Sequence, residues 1–136
     1  MKAWYLDSSA IVKFAVAEPE SSALSAWRSN LGPDDVCITS ELSITEVVRA
    51  VSRVGGDLDV ALAHIDSLEH LTVDRDLVLA AGQLEPLKMR SLDAIHLTSA
   101  SAVSTELVGV VTYDDRMSEV ARELGLATLS PGKHSV

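Results

Sequence analysis

The regular alternation of short apolar segments with longer amphipathic segments limits the fold of this chain more than any other feature. The short segments are rich in β-branched and aromatic residues, as buried strands are, and they cover residues 3–6, 36–39, 71–73, 107–113 and 127–129. The intervening segments predict helices over residues 10–18, 21–31, 41–54, 57–69, 75–84, 92–102 and 115–124. Strands separated by helices pair in parallel through right-handed crossovers. The sequence therefore predicts an α/β fold, a three-layer α/β/α sandwich around a small parallel sheet.

Polar residues at several predicted helix starts support these boundaries. Asp7, Ser40, Asp74 and Ser91 each stand just before a helical segment, where a side-chain oxygen can accept a hydrogen bond from a free backbone N–H. No internal repeat, low-complexity segment or long linker interrupts the series. We therefore expect residues 1–136 to form a single domain, since this length suits one hydrophobic core.

The apolar content suits a folded core and is spread along the chain. Apolar residues make up 47% of the sequence, and no apolar run approaches the roughly 20 residues that a membrane span needs. The N-terminal segment also lacks the pattern of a signal peptide, which favours a cytoplasmic location. Cys37 is the single cysteine and lies in a strand-like segment, so we predict a buried thiol and no intrachain disulfide.

The charge balance excludes one broad class of function. Twenty acids against eleven bases give a net charge of −9, whereas a protein that coats nucleic acid presents an overall basic face. An enzyme that holds a phosphodiester through metal ions remains compatible with this charge, and so does a protein with a basic partner.

Four acidic positions fall where an α/β sheet places its ligands, at the carboxyl ends of strands. Asp7 directly follows the first predicted strand, and Asp114, with Asp115 beside it, follows the strongest one. Asp93 lies in the first turn of the sixth predicted helix, and Glu46 lies in the third among apolar neighbours. These acids belong to separate elements, but the predicted topology allows them to converge on one edge of the sheet.

Each acid also has a purely structural explanation. Asp7 and Asp114 can cap helices, Asp93 can complement a helix dipole, and Glu46 can pair with Arg49 on a helix surface. Taken together, however, clustered carboxylates repel one another and are costly to desolvate unless a cation is present. An all-carboxylate site suits Mg²⁺ or Mn²⁺, and such ions promote phosphodiester hydrolysis by activating water and stabilising the leaving oxygen.

Four segments, YLDSSAIVKF, SITEVVRA, RSLDAIHLTSA and VTYDDRM, are similar in order and spacing to the motifs of PIN-domain ribonucleases. Within that family the chain resembles the VapC-type toxin of VapBC toxin–antitoxin pairs over nearly its whole length. The resemblance implies a PIN-like fold and a Mg²⁺- or Mn²⁺-dependent endoribonuclease that hydrolyses RNA phosphodiester bonds. It also implies a homodimer and a small cognate VapB-type antitoxin that blocks the active site.

The resemblance also implies which residues form the catalytic metal site. The first three acids of the family fall on Asp7, Glu46 and Asp93. The fourth falls on Asp114, through the threonine–any–aspartate pattern of residues 112–114, with Asp115 as a possible substitute or helper.

Two hydroxyl residues match the family's supporting positions. Ser8 and Thr112 resemble the residues that hold the acids by hydrogen bonds.

His96 and several bases near the acids admit two explanations each. His96 lies three residues after Asp93, which is compatible with a transition-metal pair, although a partly buried histidine with a hydrogen-bond partner is the commoner case. Five bases lie close to the acids in sequence, and they can either guide RNA phosphates or balance local negative charge. These are Lys13, Arg49, Arg53, Arg90 and Arg116.

Other functions fit the sequence less well. A haloacid-dehalogenase-like phosphotransferase needs an aspartate where this chain has Ser9, and a phosphoacceptor receiver domain needs an acidic pair after its first strand. The sequence contains neither a GxxxxGK nor a GxGxxG loop for nucleotide binding. The remaining alternative is a catalytically weak PIN-like scaffold that binds RNA or a protein partner, which four intact acids disfavour.

Overall fold

The computed structural model describes residues 1–103 and 106–133, which form five strands and seven helices around one parallel sheet. The strands are β1 (Lys2–Leu6), β2 (Asp35–Ser40), β3 (Glu69–Leu71), β4 (Leu107–Val111) and β5 (Thr128–Leu129). The helices are α1 (Ser8–Ala15), α2 (Ser21–Ser29), α3 (Leu42–Arg53), α4 (Leu58–Asp66), α5 (Arg75–Gly82), α6 (Ser91–Ser101) and α7 (Asp115–Glu123). The strand order is β3-β2-β1-β4-β5, so the first strand of the chain lies at the centre.

Two apolar clusters cover the two faces of the sheet. Leu6 points into a cluster formed with α1, α2, α3 and α4, whereas its neighbour Tyr5 points into a second cluster formed with α6 and α7. Successive residues of a strand face opposite sides of the sheet. Both side chains are nevertheless fully buried, because helices cover both faces. The predicted three-layer sandwich around a parallel sheet is confirmed.

The pairing of the two central strands brings their carboxyl ends together. Tyr5 pairs with Val110 and Leu6 with Val111, so the residues that follow, Asp7 and Thr112, leave the sheet side by side. The register shifts between Ala3 and Trp4, which pair with Leu107 and Gly109 respectively. One residue of β4 is therefore extra, as in a β-bulge.

Several predicted boundaries were displaced by long-range pairing. β3 occupies Glu69–Leu71, two residues before the predicted strand, because it pairs with the end of β2. β4 ends at Val111, where its pairing with β1 and β5 ends, and not at residue 113.

Two predicted helix caps were also wrong. Ser40 is the last residue of β2, and α3 follows Glu41, which makes no side-chain capping bond. Ser91 is already the first residue of α6, whose N-cap position is Arg90. The predicted caps Asp7 and Asp74 do accept backbone hydrogen bonds at the starts of α1 and α5.

Cys37 is half-buried, not fully buried as predicted, and burial raises the pKa of its thiol, which keeps the thiol protonated. Within residues 1–103 and 106–133, every helix is too short or too polar to cross a membrane.

Candidate active site

A cavity of about 280 Å³ opens at the carboxyl edge of the sheet, beside the ends of β1 and β4. All four acids predicted from the sequence line it. The complete lining is Asp7, Ser8, Ser9, Glu46, Arg90, Ser91, Leu92, Asp93, His96, Asp114 and Met117. The structure thus gathers carboxylates from four separate parts of the chain into one polar concavity.

Asp7 is the most buried of the four acids. It is 3% exposed, and Asp7 Oδ1 accepts hydrogen bonds from Ser9 Oγ at 2.6 Å and from the Ala10 backbone N–H at 3.1 Å. Asp7 Oδ2 accepts a hydrogen bond from Thr112 Oγ1 at 2.5 Å. Burial raises the pKa of Asp7, and the hydrogen bonds from Ser9 and Thr112 oppose that rise. A buried carboxylate in this position gains from a nearby cation.

The hydroxyl groups around Asp7 form a small network. Ser9 Oγ lies 3.3 Å from Thr112 Oγ1 and accepts a hydrogen bond from the Tyr113 backbone N–H at 2.9 Å. Thr112 Oγ1 also accepts from the Asp114 backbone N–H at 3.1 Å. Ser8 lines the cavity, but the serine that bonds Asp7 is Ser9. The network connects the loop after β1 with the loop after β4.

Glu46 reaches the cavity from α3 and is held by a histidine of α6. Glu46 Oε1 lies 2.5 Å from His96 Nε2, and the other ring nitrogen, Nδ1, lies 2.7 Å from the hydroxyl of Tyr5. His96 is 2% exposed and Tyr5 is fully buried. Burial also raises the pKa of Tyr5 above its ordinary value.

Arg90 joins the two remaining acids. Its Nε donates to Asp93 Oδ2 at 3.1 Å, and its terminal nitrogen donates to Asp114 Oδ2 at 3.2 Å. Asp93 is 7% exposed and lies in the first turn of α6. Asp114 is the N-cap of α7, and its Oδ1 accepts from the backbone N–H groups of Arg116 and Met117. One guanidinium therefore bridges two carboxylates from different elements.

Asp115 is oriented differently from its neighbour. Its side chain is 89% exposed, lies outside the cavity and forms an ion pair with Lys133. That ion pair lowers the pKa of Asp115. Its position favours Asp114 as the fourth acid.

The donor set fits Mg²⁺ or Mn²⁺ in chemistry, because hard divalent ions prefer carboxylate oxygens. Within the described residues, however, no three acid, histidine or cysteine side chains stand in a ready-made metal-binding arrangement. Arg90 occupies oxygens of Asp93 and Asp114, and His96 occupies one oxygen of Glu46. The residues that would hold a divalent ion in this cavity are Asp7, Glu46, Asp93 and Asp114.

The five predicted bases lie in three different environments. Lys13 forms ion pairs with Glu18 and Glu20, so in its case local charge balance is the better explanation. Arg90 lines the cavity, and Arg116 lines a neighbouring groove of about 360 Å³ that also contacts Asp93.

Arg49 and Arg53 are exposed on α3 and contact each other.

Residues 4–123 match the model of the PIN domain. The chain belongs to the PIN-domain family. Its similarity to Ribonuclease VapC46 of Mycobacterium tuberculosis is 44% identity over 135 residues, which covers 96% of this chain and 99% of the relative. Ribonuclease VapC47 from the same species is 37% identical over 131 residues, covering 94% and 96% of the two chains. The resemblance to VapC-type PIN domains is thereby confirmed.

Solved structures support the same fold at low sequence identity. A crystal structure of Mycobacterium tuberculosis VapC20, described as a toxin that cleaves the sarcin–ricin loop, matches with a TM-score of 0.71 and 16% identity. The match covers 94% of this PIN domain and 99% of that chain. A toxin–antitoxin complex from Klebsiella pneumoniae matches with a TM-score of 0.67 and 14% identity, covering 97% and 98% of the two chains.

Sequence reasoning missed three contacts of this PIN-domain site. The sequence predicts Ser8 as the hydroxyl that supports Asp7, although a hydroxyl two residues after an N-cap aspartate, that of Ser9, is also well placed to bond it. Arg90 was considered only as a phosphate guide or a local counter-charge, and its double contact depends on a residue 24 positions away. The partners of His96 lie 50 and 91 positions away, where no local pattern could indicate them.

Proposed function

We propose that this PIN domain is a Mg²⁺- or Mn²⁺-dependent endoribonuclease that acts as a toxin by hydrolysing RNA phosphodiester bonds. The observation that carries the proposal is the convergence of Asp7, Glu46, Asp93 and Asp114 on one cavity at the carboxyl edge of the sheet. The VapC ribonucleases among its relatives support the same activity. A divalent ion in this cavity supplies a Lewis acid that activates water and stabilises the leaving oxygen of the phosphodiester.

The side chains of the chain prepare this site by fixing the acids. Ser9 and Thr112 hold both oxygens of Asp7, and the backbone of α7 holds one oxygen of Asp114. Fixed ligands reduce the reorganisation that binding requires, which is how preorganised sites favour charge development in a transition state.

Arg90 changes partners in this proposal. Its side chain is 54% exposed, so it can move outward from Asp93 and Asp114 without disturbing the apolar core. A freed guanidinium at the cavity mouth can then bind a phosphate oxygen of RNA. Arg116 and Lys88, in the neighbouring groove, lie on the surface where an adjacent phosphate would pass. These bases position the RNA backbone and carry no sequence information by themselves.

A cognate VapB-type antitoxin is the partner that we infer for this surface. The Klebsiella pneumoniae structure with the same fold is a toxin–antitoxin complex. A cationic side chain of an antitoxin, arginine above all, would be attracted to the acids of the cavity. It would compete there with Arg90, which already pairs with two of them.

We further propose that the chain forms a homodimer through an apolar groove between α5 and α6. The groove is lined by Val78, Leu84, Leu87 and Met89 among others, and Leu87 is 74% exposed. Exposed apolar surface of this kind often marks an interface. Sedimentation of a Leu87→Lys variant would test this, since a dimer through the groove should dissociate and a dimer formed elsewhere should not.

Single substitutions of the acids test the activity itself. Asp7→Asn, Glu46→Gln and Asp93→Asn should each abolish Mn²⁺-dependent cleavage of RNA, while circular dichroism shows an intact fold. Asp76→Asn is the matched control for Asp93→Asn, because Asp76 also lies in the first turn of a helix, α5, but is exposed. Full activity in any acid variant would remove that residue from the site.

A second measurement separates the enzyme from a catalytically weak scaffold. Mn²⁺ should raise the thermal stability of the wild-type protein, since a ligand that binds only the folded state stabilises it. Sequencing the RNA ends produced by purified protein, beside the Asp7→Asn variant, should reveal new ends with the wild type alone. Stable RNA binding without new ends would support the scaffold and refute the nuclease.

A further inference from the structure

We propose that His96 and Tyr5 form a positioning pair that fixes Glu46 in the active site, and that His96 is not itself a metal ligand. The proposal rests on the metal site proposed above and assigns a role to two residues outside its carboxylate set. Its basis is the continuous chain of contacts from Tyr5 through His96 to Glu46, which joins β1, α6 and α3.

The direction of the hydrogen bonds follows from the chemistry of the three groups. A carboxylate accepts hydrogen bonds only, so the Nε2 atom of His96 must carry the proton that it donates to Glu46 Oε1. In a neutral ring, Nδ1 is then an acceptor, and the hydroxyl of Tyr5 donates to it. The carboxylate of Glu46 thus selects the Nε2–H tautomer of His96, and the hydroxyl of Tyr5 stabilises that tautomer by donating to the remaining ring nitrogen.

This tautomer also argues against metal ligation by His96. A histidine binds a metal through a nitrogen with a free lone pair, and here one nitrogen is protonated towards Glu46 while the other faces Tyr5. The arrangement matches a familiar principle of metal sites, in which an outer residue orients a ligand and makes it a better one. The difference is that here the histidine is the outer residue and the carboxylate is the ligand.

Glu46 needs such support more than the other acids do. Asp7 and Asp114 are anchored by backbone N–H groups at the starts of α1 and α7. Glu46 lies in the middle of α3, where backbone N–H groups are already used within the helix, and its longer side chain has more rotatable bonds. His96 holds one of its oxygens and leaves the other available to the cavity.

The pair also connects the two layers of helices across the edge of the sheet. The cluster of apolar residues that includes α3 lies on one face, and the cluster that includes α6 lies on the other. His96 is almost completely buried, so water does not compete for its hydrogen bonds. The contact therefore fixes Glu46 relative to Asp93, which lies on the same helix as His96.

The test compares Mn²⁺ affinities of purified variants by isothermal titration calorimetry, together with kcat and KM for RNA cleavage. His96→Leu should weaken Mn²⁺ binding roughly 10–100-fold, the range typical when an outer partner of a ligand is lost, and should lower kcat more than it changes KM. His96→Gln keeps an N–H donor near the same place and should recover most of the affinity. Ser99→Ala, a buried change one turn along α6, should bind Mn²⁺ as the wild type does.

Two further variants distinguish positioning from ligation and from a loss of folding. In the Glu46→Gln background, His96→Leu should cause no additional loss of Mn²⁺ affinity, because the residue that it positions is already gone. Tyr5→Phe removes the donor to Nδ1 and should fold. ¹⁵N spectra of metal-free protein should show a smaller population of the Nε2–H tautomer of His96 in this variant than in the wild type, because that tautomer has lost one of its two hydrogen bonds.

Three results would overturn the inference. They are wild-type affinity in His96→Leu, additive losses in the double variant, and equal loss of Mn²⁺ binding in His96→Gln and His96→Leu, which would indicate a ligand. A wild-type protein that binds no Mn²⁺ at all would instead refute the proposed function. The ¹⁵N spectra need no metal, so they still decide in that case whether Tyr5 stabilises the Nε2–H tautomer of His96.

Discussion

The hydroxyl of Thr112 should contribute more to the free energy of unfolding of this protein than the hydrogen bonds of a hydroxyl on its surface do. Thr112 is fully buried, and its Oγ1 donates to the carboxylate of Asp7 and accepts from the backbone N–H of Asp114. Thr112→Val keeps the shape of the side chain and removes both bonds. The loss of a bond to a charged acceptor costs about 1.5–3 kcal/mol, and the loss of the backbone bond costs about 0.5–1.5 kcal/mol.

The sum predicts that Thr112→Val lowers the free energy of unfolding by about 2–4.5 kcal/mol. For a chain of this length, that corresponds to a decrease in Tm of roughly 6–20 °C. The assay is urea and thermal unfolding of metal-free protein at neutral pH. Catalysis should suffer as well, since Asp7 loses the contact that fixes one of its oxygens.

Thr98→Val is the matched control for this prediction. The hydroxyl of Thr98 is also inaccessible to water, but it has no hydrogen-bond partner in the described part of the chain. Replacing it by a methyl group should therefore leave the stability unchanged or raise it slightly. If Thr112→Val destabilises the protein no more than Thr98→Val does, the hydroxyl network does not hold Asp7 in the way described.

Three further predictions concern the charges of the site. Asp114→Asn should reduce the cleavage rate more than Asp115→Asn, because only Asp114 lines the cavity; rates in the opposite order would move the fourth acid to Asp115. Arg90→Gln should lower the Mn²⁺ concentration needed for half-saturation in calorimetric titrations, because the metal no longer competes with the guanidinium that bridges Asp93 and Asp114. An unchanged concentration would mean that the bridge does not oppose metal binding. Burial raises the pKa of Asp7 in the folded protein, so the folded protein binds the carboxyl proton of Asp7 more tightly than the unfolded chain does. Ionisation of Asp7 therefore lowers the free energy of unfolding as the pH rises from about 4. The stability of metal-free Asp7→Asn relative to the wild type should therefore increase with pH over that range in urea titrations, and a pH-independent difference would contradict this.

The parts of the fold that the sequence predicted are those with strong local signals. The segments of β1, β2 and β4 are apolar and β-branched, and the acids in the loops after β1 and β4 can be placed at the carboxyl edge as soon as the sheet is known to be parallel. β3 was misplaced because Glu69 and His70 are polar, and only their pairing with Ile38 and Thr39 of β2 makes them a strand.

The side-chain contacts of the site could not be predicted from the sequence, for a related reason. The choice of Ser9 over Ser8 as the partner of Asp7 depends on which hydroxyl the first turn of α1 directs towards the carboxylate. The bridge through Arg90 and the contact between His96 and Glu46 depend on long side chains that meet across different elements. Such contacts arise from the three-dimensional arrangement and leave no periodic pattern in the sequence.

The extra residue in β4 has an evolutionary consequence. If β4 kept its length but paired with β1 without a bulge, Ala3 would still face Leu107, but Asp7 would come to face Val111 in place of Thr112. Because side chains alternate along a strand, a shift of one residue exchanges inward and outward positions. Deletion of the one extra codon, that of Val108, would instead remove the bulge and leave Thr112 opposite Asp7. Among related genes, a β4 shorter by one residue is therefore compatible with an intact site, whereas a strand of the present length needs the bulge to place Thr112 beside Asp7.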